Sequence, residues 1–426
     1  MLSHKLLIFT FFVGYLSFAQ APSGGQGVTQ KDIQLNTITT AMPFLGINPD
    51  SRSGAMGDAG TALSANSSSI MWNTAMLNFS ESKSEIGISY TPWLRQLTND
   101  MHLSYLSGYA RVGSRHVVGG ALRYFSLGDI TFTDANNNYI RDFKPNEFEL
   151  TLAYAFKLAE KHSIGINGKF AYSNLTGGLV TPGAETKAAI AGIADISYAY
   201  RTEDINWFKI NGIYSLGVAI VNIGNKVSYT ETADRDFLPT TLRIGNAYTA
   251  KIDKYNKLTV SVDVSKMLVP TPAVYQKING ENVLISGKSS NVGVIAGMLQ
   301  SFYDAPGRVI RNSNGDPVQN SDGSYQVKKG SKLAEELREI MIGSGLEYWY
   351  NDIFALRGGY FYENVSKGGR QFFTVGVGFK YNIFSFDFSY LAAMKRNNPL
   401  ANTMRFTLRF ALGDKMNSSD SKAKPE

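Results

Sequence analysis

From about Glu85 to Leu412 the chain repeats one unit, roughly ten residues of alternating apolar and polar side chains closed by a turn, which is the pattern of a transmembrane β-barrel. The last unit shows it best. Met404, Phe406, Leu408, Phe410 and Leu412 alternate with Arg405, Thr407, Arg409 and Ala411, so one face suits lipid and the other water. A single segment of this kind would also suit a half-buried strand of a soluble protein. About fourteen of them, with almost no helical sequence between, predict an all-β, antiparallel, closed barrel.

The strands are expected to begin near Glu85, Met101, His116, Glu147, Ser163, Ala188, Lys209, Thr241, Lys257, Ile342, Phe354, Gln371, Phe384 and Asn402. An even number puts both ends of the barrel on the periplasmic side. Connection lengths then alternate as they should. Those after even strands are short, such as Val112 to Arg115, with Arg201 to Phe208 as a longer exception. Those after odd strands include Gly128 to Asn146 and the long stretch Leu268 to Glu339. A sheet that closes on itself folds as one unit, so residues 85–412 form one domain despite their length.

The address agrees. Lys5 precedes the apolar run Leu6 to Val13, and Ser17-Phe18-Ala19 offers small residues to a signal peptidase, so residues 1–19 read as a signal peptide. That run is too short to span a bilayer as a helix. Among 426 residues there is no cysteine, which excludes disulfides and thiolate metal sites. The 23 Tyr and 25 Phe suit aromatic girdles at two membrane interfaces. A net charge of +7 favours an anionic neighbour, with lipopolysaccharide phosphates the nearest candidate. The Lys and Arg residues are scattered along the chain, which argues against nucleic acid.

Residues 20–84 lack the barrel pattern and are rich in small side chains, as in the run Gly54 to Ala62. Fourteen strands enclose more space than their own side chains fill, so this segment is expected as a plug in the lumen. The loop 268–339 is too long to be structureless. Asn279-Gly280, Asn314-Gly315 and Asp322-Gly323 signal hairpins, and Lys332 to Met341 reads as an amphipathic helix with Ser331 as its cap. Tyr275, Phe302, Tyr303 and Tyr325 in this loop form a candidate partner-contact surface, aromatic residues being enriched at protein interfaces. The polar tail 413–426 has the composition of a disordered segment.

Catalytic motifs are missing: the chain has no phosphate loop, no H-E-x-x-H and no G-x-S-x-G. Neither an enzymatic activity nor a cofactor is expected. Of 4 His, His102 alternates with Met101 and Leu103 and is expected to face the lumen near Ser104. Asp134 to Asn138 begins like a calcium loop but lacks Gly at the sixth position and Glu at the last, so an Asx-rich turn is expected. Asp263, Lys380, Asp387, Arg405 and Arg409 are expected to face inward. There they would pair with one another or with plug residues such as Arg52 and Asp58, because unpaired charge is costly beside low-dielectric walls.

Three stretches carry a resemblance: Thr40-Ala41-Met42-Pro43-Phe44-Leu45, then Pro49 to Asp58 (PDSRSGAMGD), then Met71-Trp72-Asn73-Thr74-Ala75. They resemble the N-terminal hatch of the PorV family, outer-membrane components of the Bacteroidota type IX secretion system and relatives of the FadL fatty-acid transporters. Thr74 stands where that family usually has Pro. The resemblance implies a hatch motif of Pro43, Phe44, Arg52, Met56, Gly57, Asp58, Trp72 and Asn73. It also implies a shuttle that receives cargo bearing a C-terminal signal domain from the translocon barrel and delivers it to the sortase, with extracellular loops doing the binding. The alternative is a FadL-type channel for hydrophobic solutes, with Gly358-Gly359 and Gly376 to Gly378 as sites where a strand could bulge open.

Overall fold

The computed structural model describes residues 35–415, apart from 96–97, 99, 134–135, 179, 182–183, 208–209, 232–234, 279 and 395–399. The signal peptide, the start of the 20–84 segment and most of the polar tail lie outside the described residues. The barrel opens with β1 (Ser82–Pro92), β2 (Met101–Val112) and β3 (His116–Leu127). A hairpin of β4 (Ile130–Thr133) and β5 (Tyr139–Phe143) rises from the next loop. The barrel resumes with β6 (Asn146–Ala159) and β7 (His162–Asn174), and β8 (Val180–Thr181) and β9 (Ala184–Glu185) pair within the loop that follows. Four long strands come next: β10 (Ala189–Trp207), β11 (Ile210–Gly224), β12 (Thr241–Lys251) and β13 (Asn256–Met267). The long outer loop carries the hairpin β14 (Val274–Ile278) and β15 (Glu281–Ser286). Five strands complete the wall: β16 (Ile340–Tyr350), β17 (Phe354–Tyr362), β18 (Gln371–Tyr381), β19 (Phe384–Ala393) and β20 (Met404–Lys415).

The wall is a closed, 14-stranded antiparallel barrel in which each strand pairs with its neighbour in sequence and β20 returns to β1. No described helix is long and apolar enough to cross a membrane; the strands do so. Each expected strand start falls close to an observed one, the farthest being Glu85 against Ser82. The Arg201 to Phe208 exception disappears, since β10 runs to Trp207 and β11 begins at Ile210. Strand β20 continues past Leu412 to Lys415.

Alternation sets the faces. Ile88, Leu106, Leu152, Ile166, Val262, Leu346, Val375 and Leu408 are exposed on the outer wall, while Ser89, Ser107, Thr151, Asn167, Asp263, Glu347, Thr374 and Thr407 are buried inside. His102 departs from expectation. In β2 the buried positions are Leu103, Tyr105, Ser107 and Tyr109, so His102 and Ser104 lie on the outer face, with the His102 ring 5.6 Å from that of Tyr90. The register is fixed by the inward Leu103, not by polarity at the strand's first residues.

The hatch fills the lumen as a plug of short turns. A 3-10 turn (Pro43–Gly46), α1 (Ser51–Gly54), α2 (Ser69–Trp72) and a second 3-10 turn (Thr74–Phe79) lead into β1. The apolar core is the boundary between this plug and the inner wall. Phe44 and Leu45 pack with Leu103, Phe125, Ile193 and Leu238. Ile70, Met71 and Leu77 pack with Tyr105, Tyr109 and Val117.

Candidate functional site

Inner-wall glycines let the hatch seat. A Cβ on Gly217 would stand 2.1 Å from the carbonyl oxygen of Thr61, and one on Gly376 would stand 2.5 Å from the Cβ of Ala55. The glycines around 358 and 376 therefore open no gap. Pairing between β17 and β18 runs without a bulge from Phe354–Phe379 to Tyr362–Gln371, and hatch atoms stand where a side chain would be at Gly359 (Met56 and Gly57 backbone) and at Gly376 (the Ala55 Cβ). Polar groups of the hatch backbone find wall partners as well. Asp263 accepts from the N–H groups of Gly60 (2.9 Å) and Thr61 (2.8 Å) through Oδ2, and Arg123 donates to the carbonyls of Phe44 (3.0 Å) and Leu45 (2.9 Å).

A chain of buried charges ties hatch to wall. Arg52 donates to Glu347 from Nε (2.8 Å) and Nη2 (2.7 Å), a bidentate pair. Glu347 also accepts from Arg357 Nε (2.7 Å), and Arg357 Nη1 donates to Asp387 (2.6 Å). Asp387 pairs with Arg409, which reaches back to Asp50 of the hatch at 3.7 Å. Asp50 in turn caps α1, accepting from the N–H of Ser53 at 3.0 Å. Across the barrel Lys169 pairs with Asp195 (2.7 Å), and Asn167 bridges Asp195 (2.8 Å) to the hydroxyl of Thr74 (2.7 Å). Thr74 thus keeps the turn. Asn73 caps it by accepting from the N–H of Ala75 at 3.1 Å.

Every expected hatch residue except Pro43 and Asp58 is buried: Phe44, Arg52, Met56, Gly57, Trp72 and Asn73. Pro43 and Asp58 face a cavity of about 540 Å³ between the hatch and the long-loop end of the barrel. Trp72, Arg243, Arg370, Arg405, Met341 and Phe361 also line it. Arg405 pairs with Asp58 at 3.7 Å, and Lys380 pairs with Glu81 at 3.5 Å near the opposite end. Asp263, Asp387, Arg405 and Arg409 are buried as expected; Arg52 takes Glu347 as its partner.

The long loop is built, as its turn signals predict, and its helix turns its charged face inward. Strands β14 and β15 form a hairpin with Gly280 at φ 88°, and isolated bridges join Val309–Val327 and Gln319–Tyr325. Helix α3 (Val294–Gln300) follows the hairpin, and α4 (Ser331–Arg338) precedes β16. Gly330, not Ser331, is the N-cap, and the chain is in β16 from Ile340. The acidic face of α4 is the one turned inward. Glu335 and Glu339 accept from Lys367 at 2.8 and 2.9 Å, Glu336 and Glu339 hold Lys266, and Glu335 and Glu336 accept from the N–H groups of Gly307 and Ala305 (both 2.8 Å). Leu333 (66% exposed) and Leu337 (59%) face solvent, as do Ile295 and Leu299 of α3. Tyr275, Phe302 and Tyr303 are exposed, while Tyr325 is half-buried in its bridge. Beneath α3, burial pushes the Asp304 carboxyl up to about 6.

Sequence reasoning missed Glu347, Arg357, Arg123 and Arg243. Each sits at an inward position of a strand whose register the outward apolar residues already define, such as Leu346 and Leu356 beside Glu347 and Arg357. A charge at an inward position is the signal that would have found them.

Fold and lumen together define an outer-membrane β-barrel closed by an N-terminal hatch. The family model described as "Type IX secretion system protein PorV" matches residues 29–274. The chain belongs to that family. Comparison with curated protein sequences gives no match. Among solved structures the chain is similar to the Ralstonia pickettii toluene transporter TbuX (10% identity, 85% of this chain and 96% of that one, TM-score 0.44). It is also similar to the Pseudomonas putida toluene transporter TodX (10% identity, 84% and 95%, TM-score 0.42) and to a Pseudomonas aeruginosa FadL homologue (10% identity, 88% and 99%, TM-score 0.42).

Proposed function

We propose that this outer-membrane protein of type IX secretion binds the C-terminal signal domains of exported cargo at its outer loops. It then carries cargo from the translocon barrel to the sortase, without catalysing a reaction itself. The observation that carries this reading is the inverted helix α4. An amphipathic helix on a solvated rim ordinarily turns its leucines inward. Here the glutamates are spent on anchoring the loop to Lys266 and Lys367, and Leu333 and Leu337 are left facing outward. Rigidly mounted apolar residues on α4, in a loop that also exposes Phe302 and Tyr303, suit recognition of another protein. A filled lumen also suits a carrier that docks at its rim better than a channel that conducts through its centre.

Replacing Leu333 and Leu337 together by Glu tests this. Both side chains are solvent-exposed, so the barrel should insert and resist heat as before. Cargo should no longer co-purify and should accumulate with its signal domain uncleaved. Normal secretion combined with impaired uptake of a hydrophobic compound would sink the shuttle and favour the channel.

A further inference from the structure

The periplasmic mouth of the barrel carries a crescent of unpaired cations. Strands β2, β3, β6 and β7 are consecutive in the wall, and they reach this rim at two turns, 113–115 and 160–161. Arg111 continues the inward row Tyr105, Ser107, Tyr109 of β2, and Lys157 continues the inward row Thr151, Ala153, Ala155 of β6. Arg115 and Lys161 hold the same alternate positions, two residues before the inward Val117 and Ser163. The N–H of Lys157 donates to the Arg115 carbonyl (2.8 Å), which sets the two turns side by side.

None of the four meets a carboxylate within ion-pair distance among the described residues, although other cations at this rim do: Lys257 with Asp352 (2.6 Å), Arg201 with Glu203 (3.2 Å) and Lys380 with Glu81 (3.5 Å). Arg111 donates only to uncharged oxygens, the carbonyls of Leu77 (3.3 Å) and Asn78 (3.0 Å) and the hydroxyl of Ser80 (3.3 Å). Lys157 is half-buried, and its ammonium has no hydrogen-bond partner among the described residues. Of the charges acting on it, the Arg111 guanidinium outweighs the Glu160 carboxylate. Like charges gathered at one mouth repel one another and attract an anionic partner, and a half-buried ammonium gains most from one.

The width of the crescent says what kind of anion fits. Its two turns lie two strand spacings apart, about 10 Å. A single phosphate or carboxylate cannot reach both, whereas alternate side chains of an extended peptide recur about every 7 Å along one side. Lipid headgroups at this end meet the outward row instead, where His116 and His162 bond the hydroxyls of Tyr154 and Tyr198 (both 2.7 Å). Residues 416–426, next in sequence after β20, set Asp420 and Glu426 against Lys422 and Lys424 and so offer no net side-chain charge.

We propose that the periplasmic mouth docks an acidic, extended segment of a periplasmic protein, whose carboxylates lie along Arg111, Arg115, Lys157 and Lys161. The seat is at the opposite end of the barrel from the loop surface and does not depend on what that surface binds.

The test uses the full-length protein in detergent with two fluorescent decapeptides, one alternating Asp and Ser, the other Lys and Ser. The Asp peptide should bind and the Lys peptide should not. Arg115→Gln with Lys161→Gln, both exposed in turns, should weaken binding about tenfold, the scale of two charge contacts. Lys328→Gln with Lys329→Gln removes the same charge from the exposed outer loop and should change binding by less than about twofold. Lys157→Gln is a second variant within the crescent and should weaken binding about threefold by itself. Equal weakening by the two double variants would mean that the peptide reads net charge alone, and would overturn the inference, as would no binding of the Asp peptide. Phosphatidylglycerol retained in native mass spectrometry but lost with Arg115→Gln and Lys161→Gln, in a protein that binds no peptide, would give the crescent to lipid headgroups instead.

Discussion

Gly359 of the barrel wall and Gly57 of the hatch lie so close that a Cβ on Gly359 would stand 2.1 Å from the Gly57 nitrogen. Gly57 itself holds φ at 66°, where a side chain would be strained, and a Cβ there would stand 2.4 Å from the carbonyl oxygen of Tyr360. Two backbones in contact leave no path for water between them.

Gly359→Val should therefore unseat the hatch without harming the sheet, since Val is favoured in strands. Planar-bilayer recording should show openings that the unmodified protein lacks. Gly168→Val is the control, because a Cβ there meets nothing within 4 Å. Conductance in the control but not in Gly359→Val would refute this seating.

Arg52→Met leaves Glu347 with Arg357 alone in a buried site. Breaking such a pair costs about 3–5 kcal/mol. The expected readout is a lower temperature for the loss of the compact, heat-modifiable form on gels, together with leakage. Adding Glu347→Gln should recover part of the loss, because the carboxylate left behind is then neutral. No recovery would mean that the salt bridge matters for shape alone.

Leu408→Arg places a charge on the lipid face at a cost of roughly 2–4 kcal/mol near the midplane, and should block insertion. The inward Thr407 looks lenient from sequence, as a water-facing position. Its structure says otherwise: its Oγ1 accepts from the Ser51 N–H at 3.0 Å and lies 2.9 Å from the hydroxyl of Ser89. Thr407→Arg should insert but leak. Failure to insert for Thr407→Arg with normal insertion of Leu408→Arg would shift the register by one residue.

Asp304 holds its proton to a higher pH in the folded loop than in an unfolded one, because burial raises its carboxyl to about 6 from an ordinary value of 3.8. Between those values the folded loop binds more protons, so its stability falls as pH rises from about 4 to about 6. Protease cleavage within 268–339 of the intact protein should be slower at pH 4.5 than at pH 7 after correction for protease activity. Asp304→Asn should flatten the difference.

The barrel was legible because period-two alternation repeats at every strand, and a wrong face at one strand is outvoted by its neighbours. His102 shows the limit: at a strand's outer end, where Met101 and His102 are both half-buried, polarity no longer separates the faces. The hatch was legible as a filling but not as a set of contacts. Glu347 and Arg243 lie 295 and 172 residues from the hatch groups they hold, Arg52 and Met71, and nothing local in the sequence records such a pairing. Helix α4 was found by its period, yet its orientation depended on Lys266 and Lys367, which lie on other strands and loops.

The last strand and the first meet beside the hatch, and Arg409 of β20 reaches Asp50 of the hatch (3.7 Å) as well as Glu85 of β1 (3.9 Å), while Glu85 accepts from the Ser67 N–H (2.7 Å). The hatch therefore grips both edges of the seam. Parting β20 from β1 would break ion pairs and a hydrogen bond to the hatch as well as the pairing between the two strands, so the filling acts as a clasp on the one join that links the two ends of the sheet.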